Sequence, residues 1–165
     1  MEKKWVRILL WLAVIAVCVV IFLFSAQTGE ESADTSGKVV NWLIGILVRG
    51  YHLLEAVRQQ EIYETASLIV RKLAHFSEFA LLGFLVRLLM RSYRLRRGGL
   101  LAWLSATLYA VTDEVHQMFS AGRGPSPVDV GIDSLGAATG VLFACAVLWL
   151  VMRRKGGREE PVAGE

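Results

Sequence analysis

Ionisable and amide side chains recur at helical spacing in apolar stretches of this sequence. One arc of a predicted helix carries Arg71, Lys72, His75 and Glu78. One face of another carries Asp113, His116 and Gln117. An ionisable group in hydrocarbon costs roughly 2.5 to 3.5 kcal/mol, so it requires a partner, water or a function. We predict a polar ligand-binding site inside a bundle, formed by Lys72, His75, Glu78, Asp113, Glu114, Gln117, Arg123, Asp129 and Asp133.

These residue types favour binding of an anion. Lys72, His75 and Arg123 could hold a phosphate or carboxylate. The carboxylates could coordinate a hard divalent cation or orient the basic residues; the sequence does not separate these roles, so no metal ligand is assigned and the cofactor is unknown. The alternative is a set of interfacial charges that are solvated by headgroups and neutralise one another in ion pairs.

Catalysis is neither established nor excluded by the sequence. His75 could exchange protons near neutral pH, but one histidine beside a carboxylate is weak evidence for an enzyme. The sequence contains no nucleophile motif, no phosphate-binding glycine loop and no Cys and His metal signature. It also lacks the basic and aromatic pattern of a nucleic-acid-binding surface, so no nucleic-acid partner is expected.

The elements that must position these residues are membrane-spanning helices. Of the 165 residues 55% are hydrophobic, and about 20 mostly apolar residues cross a hydrocarbon core of ~30 Å. The sequence predicts an all-α, polytopic membrane domain over residues 1–155 and a disordered cytoplasmic tail over 156–165. The predicted transmembrane helices are 5–24, 73–90, 98–119 and 128–152.

Basic residues indicate the orientation of the predicted helices. Lysine and arginine concentrate before the first span, between the second and third, and after the fourth. Because basic residues are retained on the cytoplasmic side, both termini are expected there, and the candidate site is expected near the outer leaflet. These residues are Lys3, Lys4, Arg7, Arg91, Arg94, Arg96, Arg97, Arg153, Arg154, Lys155 and Arg158.

The long connection between the first and second spans is predicted to be helical. Asp34, Thr35 and Ser36 could cap an apolar helix over 39–48 that is too short to cross the bilayer and is expected at the outer interface. Residues 53–70 have a roughly helical alternation of apolar and charged side chains. This segment could extend the second span outward.

Gly136 and Gly140 form a small-xxx-small pair on the last predicted helix. Small residues allow close helix packing, so this face is expected to pack inside the bundle and to draw Asp129 and Asp133 inward. The alternative is the contact surface of a homo-oligomer.

Several blocks of the sequence resemble the VanZ-like family of bacterial membrane proteins. They include Phe24-Ser25-Ala26-Gln27, Arg71-Lys72-Leu73-Ala74-His75-Phe76, Thr112-Asp113-Glu114-Val115-His116-Gln117-Met118-Phe119, and Gly122-Arg123 followed by Asp129, Asp133, Gly136 and Gly140. The resemblance implies a four-helix membrane protein and motif residues at most of the candidate positions. The family is named after a protein that lowers sensitivity to teicoplanin and related lipoglycopeptides, and the resemblance implies no established reaction.

The leading functional hypothesis is a cell-envelope protein that binds an anionic lipid or a lipid-linked cell-wall intermediate at the outer leaflet. Such binding could lower sensitivity to teicoplanin-type antibiotics. One alternative is a membrane enzyme acting on a lipid headgroup or lipid-linked precursor, with carboxylates holding a metal and His75 moving protons. Another is a non-enzymatic assembly partner of a second membrane protein.

Overall fold

A computed structural model describes residues 4–119 and 126–156, and within these ranges the regular secondary structure is entirely helical. The all-α prediction is therefore confirmed. A single 3-10 turn at Tyr51–Leu53 precedes the third helix. The helices are α1 (Lys4–Ser25), α2 (Gly29–Leu47), α3 (Ala56–Ser92), α4 (Gly98–Gln117) and α5 (Pro127–Gly156).

Three of the described helices are long and apolar enough to cross a membrane: α1, α3 and α5. On α1, Val14 and Ile21 face the bundle, whereas Ile8, Leu12 and Ile15 are among many large apolar side chains that remain exposed. Such a surface is suited to lipid, because a water-soluble domain would have to bury it. The predicted spans 5–24 and 128–152 agree closely with α1 and α5.

The fourth helix, α4, ends in a polar segment. It has 20 residues, about 30 Å of helix, but its final turns contain Asp113, Glu114 and Gln117. It buries alanines at every fourth position, Ala102, Ala106 and Ala110, against the rest of the bundle. The helix predicted over 98–119 is present, but α4 is not among the candidate membrane spans.

The second predicted span lies within a helix that begins earlier in the chain. A helix was expected over 73–90, but α3 is continuous over 37 residues, Ala56–Ser92, about 55 Å. No proline interrupts this stretch, so the amphipathic segment before residue 73 continues into the apolar one without a break. The outward extension inferred from residues 53–70 is confirmed from Ala56 onward.

The cap positions predicted for α2 were wrong. Asp34, Thr35 and Ser36 lie inside α2, which begins five residues before Asp34, at Gly29. The N-cap is Thr28, whose hydroxyl accepts a hydrogen bond from Glu31 N, while the Glu31 carboxylate accepts one from Thr28 N. The hydrogen bond from Thr28 N, and secondly one from the Thr28 hydroxyl to the same carboxylate, lower the pKa of Glu31.

The closest helix pair is α3 with α5, and glycines on both helices make the contact. A Cβ placed on Gly140 would lie 1.8 Å from the Ala80 carbonyl oxygen, and one on Gly136 would lie 2.3 Å from that of Phe76. From α3, a Cβ on Gly83 would lie 2.3 Å from the Ala137 carbonyl oxygen. No side chain fits at these three positions without moving backbone, so the glycines set the distance between the helices.

The chain runs back and forth, so that one end of the bundle contains the start of α1, the end of α3 and the end of α5. There Arg7 donates a 2.9 Å hydrogen bond to the carbonyl oxygen of Ser92, and Arg91 donates to the Met152 sulfur. The opposite end combines the end of α1, the end of α4, the start of α5 and the middle of α3. The predicted site residues within the described ranges lie at this second end.

Candidate functional site

Three helices bring a histidine and two aspartates together. His75 of α3, Asp113 of α4 and Asp133 of α5 each place one nitrogen or carboxylate oxygen within 4.8 Å of the others. Asp113 and Asp133 are each only 4% exposed. Two acidic groups thus lie beside a histidine in an interior where an ionised side chain without a partner is costly.

Asp113 is fixed by two neighbours. Ser25 Oγ, at the end of α1, donates a 2.7 Å hydrogen bond to Asp113 Oδ2, and the Gln117 amide donates to the same oxygen at 2.9 Å. The Gln117 amide also lies 3.2 Å from Ser25 Oγ. Both described donors act on Oδ2, so the carboxylate is held in one orientation with Oδ1 on its other side.

Asp133 has a different environment. Its Oδ1 is buried and accepts no hydrogen bond from the residues that the structure describes. Glu78, Asp113, Glu114 and Asp129 are close enough to act on it electrostatically. Asp133 is therefore a buried acceptor among carboxylates.

Around this centre, two contacts fix the start of α5. Lys72 on α3 forms an ion pair with Asp129, with both side chains partly exposed. The Glu114 carboxylate accepts a hydrogen bond from the backbone N–H of Ser126, and Ser126 Oγ accepts one from Asp129 N. Lys72 and Glu114 thus hold the first turn of α5 beside α3 and α4.

A cavity of about 200 Å³ opens beside His75, between the end of α1, α2 and α3. Its polar lining residues include Arg71, the serines and threonine of α2, and His75 with Glu78. Nδ1 of His75 lies 3.7 Å from Oε2 of Glu78, within ion-pair range if the imidazole is protonated. The full lining is Phe24, Gln27, Ser32, Thr35, Ser36, Val39, Val70, Arg71, Ala74, His75 and Glu78.

Two predicted features lie outside the described residues: Arg123 and the tail predicted as disordered, apart from its first residue.

His116, which shares a helix with Asp113, stacks on Phe22 with ring centroids 4.3 Å apart. Of the two histidines near this end of the bundle, only His75 joins the aspartates.

The same residues fall within a known family. The VanZ/LLP1 family model matches residues 10–150. The chain belongs to the VanZ/LLP1 family. With its candidate spans, this makes it a multi-pass membrane protein in contact with the lipid bilayer. No curated protein and no solved structure matches the chain.

The VanZ/LLP1 match includes every predicted site residue, but sequence reasoning missed two residues that the structure adds. Ser25 was noted only as part of a motif, because a single serine at a helix end carries no signal of a distant partner. Arg71 shared the predicted polar arc but was left out of the site, although it lines the cavity. For Asp113 and Glu114, the alanines of α4 were a sequence signal of burial. A repeat of four residues from Ala102 puts both acids on the face of α4 that packs inside the bundle.

Proposed function

We propose that this VanZ/LLP1 protein binds the phosphate headgroup of an anionic lipid or lipid-linked envelope intermediate in the cavity between α1, α2 and α3. The observation that carries the proposal is the lining of that cavity, which combines Arg71 with serine, threonine and apolar residues. A guanidinium offers two parallel N–H donors to a phosphate, and hydroxyls can add further hydrogen bonds. The apolar side chains suit an acyl or prenyl chain.

The other predicted cations have supporting roles in this proposal. Lys72 is engaged with Asp129, so its proposed role is to hold the start of α5 in place. Arg123, which follows α4 in the sequence, is proposed as a further cation that binds the headgroup. Asp113, Glu114, Gln117 and Asp133 would then support the floor of the site, around His75.

The proposed site lies in the outer leaflet of the cytoplasmic membrane. We propose that α4 also crosses the bilayer, giving four spans, because its length of about 30 Å equals the hydrocarbon thickness and it packs against α3 and α5. The arginines at the α3–α4 connection and both termini would then face the cytoplasm. Binding of an envelope lipid by the protein would change the access of teicoplanin-type lipoglycopeptides to the cell surface. Lowered sensitivity to these antibiotics is the phenotype that the family resemblance implies.

Lipid retention tests the proposal. Full-length protein and an Arg71→Gln variant are purified in mild detergent and compared by native mass spectrometry, with added phosphatidylglycerol or polyprenyl phosphate as probes. We expect the native protein to retain one anionic lipid per chain and Arg71→Gln to retain it at least tenfold less. The probe that competes better identifies the lipid class.

Arg58→Gln is the matched control, because Arg58 lies on the outer part of the same helix and pairs only with Glu61 among the contacts described. It should retain lipid as the native protein does. Equal retention in Arg71→Gln and Arg58→Gln would overturn the cavity as the binding site. Arg123→Ala, measured in parallel, tests whether that arginine contributes.

A headgroup-modifying enzyme is the second candidate. The observation that favours it is the position of His75, which lines the cavity and also belongs to the cluster with Asp113 and Asp133. Turnover of a lipid phosphate by purified protein, lost in His75→Gln, would support this candidate. The assembly-partner alternative has less support, because Gly136 and Gly140 already pack against α3.

A further inference from the structure

We infer that His75, Asp113 and Asp133 bind one divalent transition-metal cation, Mn²⁺ or Zn²⁺. This inference goes beyond the proposed lipid site and does not depend on it. It assigns a ligand to residues that the sequence alone left without a metal. Three observations carry it: the distances between the ligand atoms, the buried oxygen of Asp133, and the charge of the surrounding groups.

The ligand atoms are nearly close enough to share an ion. One atom from each of the three residues lies within 4.8 Å of the other two. Ligands about 2.1 Å from one ion lie at most about 4.2 Å apart, so small side-chain rotations complete the geometry. The three residues come from α3, α4 and α5, which pack against one another, so the backbone already brings the ligands together.

Asp133 supplies the independent observation. Its side chain is 4% exposed, and Oδ1 has no hydrogen-bond partner among residues 4–119 and 126–156. A buried acceptor without a partner is strongly disfavoured, and more so when it carries charge. A cation bound at this oxygen removes that penalty.

The charges near Asp133 also favour a cation. Glu78, Asp113, Glu114 and Asp129 all act on it electrostatically, and Lys72 is already paired with Asp129. Two additional positive charges between Asp113 and Asp133 would offset part of this repulsion.

The surroundings of Asp113 resemble the outer support of a metal ligand. Ser25 and Gln117 both donate to Oδ2, which orients the carboxylate and leaves Oδ1 for coordination. Hydrogen bonds of this kind fix the direction of metal-binding carboxylates. One imidazole with two carboxylates suits Mn²⁺ or Zn²⁺ better than Ca²⁺ or Mg²⁺, which favour oxygen ligands.

Metal binding is measured on full-length protein in detergent, stripped with EDTA and titrated with Mn²⁺ under electron paramagnetic resonance, and with Zn²⁺ under elemental mass spectrometry. We expect about one ion of Mn²⁺ or Zn²⁺ per chain. Asp113→Asn and Asp133→Asn should each weaken binding at least tenfold. Glu64→Gln, an exposed acid on the outer part of α3, should leave it unchanged.

Nitrogen coordination identifies the histidine. Bound Mn²⁺ should show spin-echo modulation from a directly coordinated nitrogen, lost in His75→Gln and kept in His52→Gln. No stoichiometric binding of either metal, no nitrogen modulation in the native protein, or modulation that persists in His75→Gln would each overturn the inference. The first two outcomes require no variant, so the test does not depend on every substitution folding.

The lipid and metal results are separable. Arg71→Gln should lose lipid and retain the ion, because Arg71 is not one of the three ligands. Loss of lipid binding in every experiment together with normal metal binding would reject the proposed function alone.

Discussion

Ser25 Oγ lies 2.7 Å from Asp113 Oδ2, a hydrogen bond that joins the last residue of α1 to the buried acid of α4. It is one of the few polar links between α1 and the rest of the candidate site. We expect Ser25→Ala to lower the free energy of unfolding by about 1 kcal/mol, because Asp113 loses a buried donor. Thermal unfolding in detergent measures this change.

Ser77→Ala is the control for Ser25→Ala. Ser77 is exposed and donates only to backbone carbonyls of its own helix in the described contacts. Its removal should change stability by less than ~0.5 kcal/mol. Equal effects of the two substitutions would contradict a special role for the link to Asp113.

Gly140 should tolerate no side chain. A Cβ there would come 1.8 Å from the Ala80 carbonyl oxygen, so Gly140→Ala must push α3 and α5 apart. Overpacking of this kind costs at least about 2 kcal/mol, and we expect a matching fall in thermal stability. Gly131→Ala, on the same helix with no neighbour within 4 Å of the added carbon, should be neutral or stabilising.

The Lys72–Asp129 ion pair should contribute little to stability. Its side chains are 42% and 38% exposed, so solvent screens the attraction, and we expect a coupling energy of about 0.5 kcal/mol. A double-mutant cycle with Lys72→Met and Asp129→Asn gives this value, and added salt should reduce it. A coupling above about 2 kcal/mol would show that the pair is more deeply desolvated than its exposure indicates.

The Thr28–Glu31 capping box should control the start of α2. Thr28→Ala removes the cap and should cost about 1 kcal/mol of helix stability, visible as faster amide exchange in the first turns of α2. Thr35→Ala, whose hydroxyl donates only to the Glu31 carbonyl in the described contacts, should have a smaller effect.

The same capping box predicts a pH dependence with a definite sign. The pKa of Glu31 is lower in the folded state, so its contribution is complete above the unfolded-state pKa and is lost as the pH falls through the folded-state pKa. Amide protection in this turn, corrected for intrinsic exchange, should therefore decrease in acid. Glu31→Gln should remove that dependence.

The proposed topology can be tested by labelling single cysteines in intact cells. In a background with Cys18 and Cys145 replaced by alanine, Glu64→Cys should react with a membrane-impermeant maleimide in intact cells. Arg96→Cys, in the connection between α3 and α4, should react only after lysis. The reverse pattern would place the candidate site on the cytoplasmic side.

Helices with a strong hydrophobic signal were predicted well from the sequence, and helices stabilised by other contacts were not. The α1 span agrees within one residue at each end because its apolar run is continuous. The helical rhythm of residues 53–70 indicated that α3 could begin before its apolar part, and the structure has it begin at Ala56. The cap of α2 has a sequence signature, Thr28 followed three residues later by Glu31, but Asp34, Thr35 and Ser36 offer similar capping residue types nearer the apolar part of the helix.

For the candidate site, the sequence indicated which residues are costly to bury but not which of them meet. Helical spacing put His75 and Glu78 on one face and Asp113 and Gln117 on another. It could not show that Ser25, 88 positions before Asp113, would donate to that carboxylate. Contacts between distant helices depend on their rotation and depth, which spacing along one helix does not determine.

The glycines between α3 and α5 have a consequence for how such a centre could evolve. Phe76, whose carbonyl lies against Gly136, is the residue next to His75, and Gly136 is three residues after Asp133. The separation between that histidine and that aspartate is thus controlled from positions with no side chain. An added methyl group at Gly136 would increase the distance between His75 and Asp133. It would thereby change which cation the centre prefers without replacing any of the proposed ligand residues.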